Sequence, residues 1–370
     1  MRIIFLCLCL VIFPGHVLGG KDLAVVSEKK ISDGISYRHY VRKGSEPLNL
    51  HLLEIDPDKV KIDFQLAQDE ILGRETVSAM AVRRGATAGI NGGFFEVYGE
   101  YQGDPEGLYV SSGKILSEPL FNRSSIGVCG GQDGQQLLID QIRVVSSIIA
   151  DGKRRNRVFG LNRARKVDDI VIYSPEFGSK TLTDDSGAEI IIKNGLVSDV
   201  LLNKGSNQIP KDGMVVSASG RFKKKIVDDV RVKSRVNLVH EARSIRKNGA
   251  AVDFDDCSYT TAGPTLIMNG AVVPKFKSIS TIERHPRTAI GIKDEGMLYV
   301  VVVDGREPEV SVGMSLGELA NFLKSFGIND AYNLDGGGSS TLVLRGKVVN
   351  SPSDVTGERP VGDSILFFPR

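Results

Sequence analysis

The sequence is short of the features that most directly point to a function. It has four cysteines and five histidines in 370 residues, and none of the cysteines forms a Cys-x-x-Cys pair, so a zinc site has no support. Its formal charge is only +2, with acids and bases interspersed. That excludes the electrostatic footprint of a nucleic-acid or anionic-membrane binder. After the first twenty residues no apolar run is long enough to span a bilayer. No Pro-rich or Ser-rich linker divides residues 45–370, and nothing in the composition argues for disorder. With 41% hydrophobic residues, the chain can bury one large core or two ordinary ones.

What is present begins at the N-terminus. "MRIIFLCLCLVIFPGHVLGG" places Arg2 ahead of an apolar stretch from Ile3 to Phe13, with small residues near Gly19, the pattern of a secretory signal peptide over 1–20. A secreted or periplasmic, cell-envelope protein follows, with no stable membrane insertion after cleavage. Cys7 and Cys9 would leave with the peptide, and Cys129 and Cys257 remain as a candidate disulfide. The sequence does not decide whether they meet. Asn122-Arg123-Ser124 is a glycosylation sequon, meaningful only in a eukaryotic source.

Hairpin signals recur at 108–116, 190–200, 266–273 and 342–350, each a glycine-containing turn between apolar or alternating flanks. "RTAIGIKDEGMLYVVVVDG", 287–305, adds a longer hairpin whose second arm is apolar from Met297 to Val303, as for a strand covered on both faces. The polar stretch 220–235 reads as solvated strand and loop. Two segments read as helices. In "SLGELANFLKSFG", Ser315 and Glu318 fit a capping box and Gly327 a stop. In "TVSAMAVRRG", Val77, Met80 and Ala81 share a face and Gly85 ends it. The expected fold is α+β (mixed α/β): a strand-rich single large domain over 45–370, with a central mixed sheet, many short hairpins and a few covering helices. Residues 21–44 form a small N-terminal segment before it.

Both helices lead through a glycine stop and a short apolar strand to an Asn and a Gly-Gly turn: "NGGFF" at 91–95 and "NLDGGGSST" at 333–341. If the two strands are neighbours in one sheet, the turns emerge at one edge and form one site. Consecutive glycines let backbone amides converge on an anion, and Ser339 and Ser340 add hydroxyls. The loop is not a P-loop, because no Lys follows at the required spacing. A plain structural turn is the alternative. Polar residues gather at other strand ends: Asp304 and Arg306 in "DGR", Glu283, Arg284, His285 and Arg287 in "ERHPRTAIG". Arginines there suit a structural ion pair or a substrate oxyanion.

"NGGFF", "AGPTLIMNG" at 262–270, "PRTAIGI" at 286–292, "VVVDGR" at 301–306, "NLDGGGSST" and "NSPSDVTGERPVGDSILF" at 350–367 together resemble the phosphodiester glycosidase family, in its order, over about residues 45–370. The resemblance implies hydrolysis of a sugar-1-phosphodiester to free sugar and phosphomonoester. A phosphodiester leaves as a stable anion, so general-acid help matters less than positive charge and amide donors near the phosphate. Arg287, Arg306 and the donors of Gly336, Gly337, Gly338, Ser339 and Ser340 are the phosphate candidates. Asp335, then Asp304, is the candidate carboxylate at the anomeric carbon.

Asn91 is expected to bind sugar hydroxyls or orient the nucleophile, with Gly92, Gly93 and Phe94 beside the sugar. His285 and Arg359 lie in matched motifs. No cofactor is required, and a divalent cation on Asp304 or Asp335 stays open. The family's mammalian members are larger and membrane-anchored; this chain resembles a bacterial secreted member acting on cell-envelope or exopolysaccharide material. Two other readings stand: a non-catalytic carbohydrate-binding or exopolysaccharide-assembly protein on the same scaffold, and a phosphodiesterase that cuts P–O.

Overall fold

A computed structural model describes residues 23–120, 123–130, 134–273, 276, 278–294 and 296–370. The signal-peptide segment and Asn122 of the sequon lie outside the described residues. The largest sheet has eight strands, in the order Ala24–Ser32, Ile35–Arg42, Leu48–Ile55, Leu298–Val303, Arg287–Ile292, Asp330–Asn333, Thr265–Met268 and Ala271–Val272. Every neighbouring pair in it is antiparallel. The stretch expected as an N-terminal segment therefore supplies two of its strands. Leu298–Val303 is buried at all six positions, because sheet partners flank it and side chains cover both faces.

A five-stranded antiparallel sheet carries Lys347–Val348, Leu342–Leu344, Ala88–Asn91, Asp363–Pro369 and Val60–Leu66. Ile90, Leu342 and Ile365 from it share one core with Ile290, Tyr332 and Leu334 of the eight-stranded sheet and its exit. The other face of the large sheet is closed by the helix Leu316–Lys324, whose Leu316, Leu319, Ala320 and Leu323 pack with Leu50, Val301 and Val303. Its capping box forms as expected, Ser315 Oγ accepting from Glu318 N and the Glu318 carboxylate from Ser315 N. The helix Val77–Arg84 also forms, buries Val77, Met80 and Ala81, and ends on Gly85 at φ 74°.

The five hairpins read from the sequence are all present. A further antiparallel sheet pairs Ser124–Cys129 with Cys257–Ala262, and a Cys129–Cys257 disulfide ties the two strands, Cα to Cα 4.0 Å.

Two expectations are corrected. The fold is predominantly β, 46% strand and 12% helix, built from several antiparallel sheets, not a mixed α/β domain around a central mixed sheet. The reason is the turns: tight glycine hairpins join successive strands antiparallel, while parallel neighbours need a long crossover. Among the described residues the single parallel pair is Gly160–Leu161 with Ile170–Tyr173, in a separate five-stranded sheet. The second correction falls at 220–235, where Arg221–Asp229 is a helix rather than solvated strand and loop. Ile226 is buried there, and with Phe222 one turn before it and Val230 at the helix end it packs into one core, a spacing that the surrounding lysines obscure in the sequence.

Candidate active site

The two glycine turns meet, though by a different route from that expected. Their strands, Ala88–Asn91 and Asp330–Asn333, lie in different sheets, and the turns come together because those sheets pack face to face. Asn91 is the tie between them. Its side chain is buried; Nδ2 donates to the Asp335 carbonyl at 2.7 Å, while Oδ1 accepts from Thr288 Oγ1 at 2.7 Å and Thr341 N at 3.2 Å. Asp335 N in turn donates to the Gly92 carbonyl at 3.3 Å. The Asn91 amide is thus spent on holding the loops in register.

The glycines are explained by what crowds them. A Cβ on Gly92 would sit 2.4 Å from Asp363 Oδ2, and one on Gly93 2.6 Å from Thr261 Cγ2. Asp363 is the residue that the sequence reading missed. It starts the strand Asp363–Pro369, is almost fully buried, and accepts from Gly93 N at 2.9 Å and Thr260 Oγ1 at 2.6 Å. Burial, reinforced by the nearby Asp335 carboxylate, pushes its pKa up to about 6 against those two hydrogen bonds. Its only trace in the sequence is an acid placed just before an apolar strand, in a motif otherwise full of such residues.

Asp335 is partly buried and carries a raised pKa, chiefly from desolvation with a contribution from Glu106; hydrogen bonds from Ser339 and Gly336 N and the Arg359 charge oppose the shift. Glu106 was also missed. It pairs with Arg123 at 2.9 Å, and the Arg123 guanidinium stacks 4.0 Å from the centre of the Phe94 ring. The charges of both Glu106 and Asp335 oppose the lowering of the Arg123 pKa by burial. Asp335, Asp363, Glu106 and Arg123 therefore form one charged group, with the Phe94 ring packed against Arg123.

The glycine loop 336–338 is flanked by cations. A Cβ on Gly337, whose φ is 61°, would lie 2.9 Å from Arg306 Nη2, and one on Gly338 would lie 2.3 Å from Arg359 Nη2. Arg359 is held by Asp354 at 2.6 Å and reaches Ser339 Oγ at 3.5 Å. Arg287 is buried and donates only to carbonyls, those of Met314, Ser280 and Glu283 at 2.7 to 2.9 Å. Its pKa falls to about 10, first from burial and then from the neighbouring Arg306. Arg306 is exposed and has no hydrogen-bond or carboxylate partner among the described residues. His285, 3.5 Å from Glu283, has its pKa lowered by burial and by both arginines. Among the described residues, Arg306 and Arg287 thus lie beside the loop without a carboxylate counterion.

The loop's own amides are less free than expected. Gly336 N donates to Asp335 Oδ1, Gly337 N to the Pro286 carbonyl, Ser339 N to Gly336 and Ser340 N to Gly337. Ser340 Oγ, Thr341 Oγ1 and Asn333 Oδ1 are buried without partners among the described atoms, polar capacity left over beside Asp335.

Asp304 does not join the carboxylate group. It is buried, with its side chain accepting from Asn49 Nδ2, Asn350 Nδ2 and Ser351 N, and His51 Nε2 lies 3.5 Å away. Asn350 also donates to the Ser340 carbonyl at 3.0 Å and accepts from Leu342 N. Asp304 thus anchors the exit of the glycine loop through Asn350. Among the described residues no group of three or more His, Cys, Asp and Glu forms a cation cage.

The β scaffold thus brings Asp335, Arg306 and Arg359 to one glycine loop. The phosphodiester glycosidase family model matches residues 186–368, so the chain carries a phosphodiester glycosidase domain over that span. The Asn91 turn and Glu106 lie ahead of the matched span. An uncharacterised protein of Rickettsia conorii is 28% identical over 230 residues, 61% of this chain and 77% of that protein. Mouse N-acetylglucosamine-1-phosphodiester alpha-N-acetylglucosaminidase is 44% identical over 68 residues, 18% of this chain; the match spans 13% of that enzyme's length. A solved structure from Burkholderia pseudomallei, described as a candidate exported protein, superposes with a TM-score of 0.83 at 21% identity, covering 95% of this chain and 98% of that one. At that identity the likeness shows the fold alone.

Proposed function

We propose that the protein hydrolyses the glycosidic C–O bond of a sugar-1-phosphodiester. The observation that carries this reading is the segregation of charge around one loop: Asp335 at its start, and Arg306, Arg287 and Arg359 along the glycines. In the proposed reaction Arg306 and Arg359 hold the phosphodiester, and with the buried charge of Arg287 behind them they stabilise the charge that builds as the phosphomonoester departs. The C1–O bond to phosphorus breaks and its electron pair leaves with the phosphate. Asp335 faces the anomeric carbon and stabilises the oxocarbenium-like transition state. Water oxygen ends on C1; one of its protons stays on the new sugar hydroxyl and the other passes through a carboxylate to solvent. Asp363 fixes Gly92 and Gly93 under the sugar and sets the field in which Asp335 works. Cell-envelope or exopolysaccharide sugar phosphodiesters met outside the cytoplasm are the proposed substrates.

The test is release of free sugar from N-acetylglucosamine-1-phosphodiesters by the mature chain in ¹⁸O-labelled water. Label in the sugar supports C–O cleavage, and label in the phosphate supports the phosphodiesterase reading. Asp335→Asn should abolish release while retaining binding. Binding without turnover over a broad sugar-phosphodiester panel would refute the proposal in favour of a carbohydrate-binding protein.

A further inference from the structure

A cavity of about 380 Å³ opens beside Glu106, within the size range of small-ligand sites. Glu106 joins it to the Asn91 turn: its backbone N donates to the Phe94 carbonyl at 2.8 Å and its carboxylate pairs at 2.9 Å with Arg123, which lies over the Phe94 ring; the same carboxylate raises the pKa of both Asp335 and Asp104. None of the arginines of the glycine loop lines this cavity. Its walls carry Glu96, Asp104, Glu106 and Glu118. Two cations line it: Arg163 is already committed to Glu118, to Asp169 at 2.6 Å and to two backbone carbonyls, and Lys166 is exposed to solvent. Tyr98 stands at the rim with 80% of its surface exposed, and Tyr101 lines the wall with its hydroxyl turned to the Leu182 carbonyl at 3.0 Å.

Those features select a ligand chemistry. Carboxylate walls without a free buried cation repel phosphates and uronic acids and accept hydroxyl donors. An exposed tyrosine face offers an apolar platform for the C–H side of a pyranose ring. Asp104 has a buried carboxyl oxygen without a partner. Burial and the carboxylates of Glu118, Glu96 and Glu106 lift its pKa to about 8, so at neutral pH it adds a hydroxyl donor to the acceptors around it.

We infer that this cavity binds a second, uncharged sugar ring, joined to the sugar whose anomeric carbon lies at Asp335, so that the favoured substrate is an oligosaccharide 1-phosphodiester rather than a monosaccharide one. This rests on the proposed function, because Asp335 marks where the first ring ends. The ring stacks on Tyr98 and donates hydroxyls to Glu96 and Glu106.

The test uses the full mature chain and its Tyr98→Ala variant, an exposed change that leaves the fold intact. Calorimetric titration compares N-acetylglucosamine, chitobiose, cellobiose, maltose and a glucuronic-acid disaccharide. Hydrolysis compares the phenyl phosphodiesters of N-acetylglucosamine and chitobiose. The expected result is that a neutral disaccharide binds at least tenfold tighter than its monosaccharide and tighter than the uronate. Tyr98→Ala should remove that tenfold preference in binding and in kcat/KM, with monosaccharide turnover unchanged. Tyr98-dependent disaccharide binding without any turnover would keep the cavity assignment and refute the catalytic reading. Equal binding of mono- and disaccharides, no binding of any neutral disaccharide, or a preference that survives Tyr98→Ala would overturn the inference.

Discussion

Asp363 offers the sharpest test of the site's electrostatics. Its carboxyl is almost fully buried and its pKa stands near 6, against a reference of 3.8. A group whose folded-state pKa is raised adds stability that is complete below the unfolded pKa and is lost as pH rises through the folded one. The 2.2-unit difference corresponds to about 3 kcal/mol, given about 1.4 kcal/mol per unit, and that contribution disappears between pH 4 and pH 6. Asp363→Asn keeps the shape, keeps an acceptor for Gly93 N and lets the Thr260 hydroxyl turn to accept, while removing the charge. The cost of weaker hydrogen bonds is about 1 kcal/mol. Urea unfolding followed by circular dichroism at pH 4, 5, 6 and 7.5 should therefore show a variant about 0.5 kcal/mol less stable than wild type at pH 4 and about 2 kcal/mol more stable at pH 7.5. The curves should cross at about pH 4.5. A variant destabilised by the same amount at pH 4 and pH 7.5 would refute the assignment of a desolvated carboxylate at this position.

Other expectations follow from the same geometry. Arg306→Ala should lower kcat/KM for a sugar-1-phosphodiester by roughly 10²- to 10³-fold, the usual loss for one transition-state donor, with stability within about 0.5 kcal/mol of wild type because the side chain is exposed and unpartnered; a stability loss with unchanged kinetics would count against an anion site. Gly92→Ala forces a methyl to 2.4 Å from Asp363 Oδ2, and thermal unfolding should show a loss of about 1–3 kcal/mol from overpacking together with lost activity. Replacing Cys129 and Cys257 by serine releases a cross-link between positions 128 residues apart and should cost about 2–5 kcal/mol, read as a lower urea midpoint that reduction of the wild type reproduces. Asp304→Asn should impair turnover through the loop it anchors: activity lost together with protection of the 336–340 amides from hydrogen exchange fits an anchor, whereas lost activity with unchanged protection fits direct chemistry.

Much of the local structure was legible because its causes are local. The glycine turns of five hairpins, the Ser315–Glu318 box and the Gly85 and Gly327 stops follow from backbone preferences of a few adjacent residues. The apolar run ending at Val303 announced a strand buried on both faces, and the loop from Asn333 to Ser340 and its companion at Asn91 stood out by composition. The helix at Arg221–Asp229 was hidden because three apolar residues at helical spacing sit among lysines that a solvated strand would equally carry.

What the sequence by itself determined, then, is the family's set of polar turns and the strands that deliver them, since those depend on short-range geometry and on residues held in order along the chain. Tertiary structure alone decided how they meet. Packing of two antiparallel sheets set Asn91 against Asp335, drew Asp363 and Glu106 from distant positions to the same carboxylate, and left Arg306 beside Arg287 without a carboxylate partner among the described residues. It also engaged the Asp304 carboxylate with Asn49, Asn350 and Ser351. Burial and long-range pairing fix each of those outcomes, and neither is encoded by a residue and its immediate neighbours.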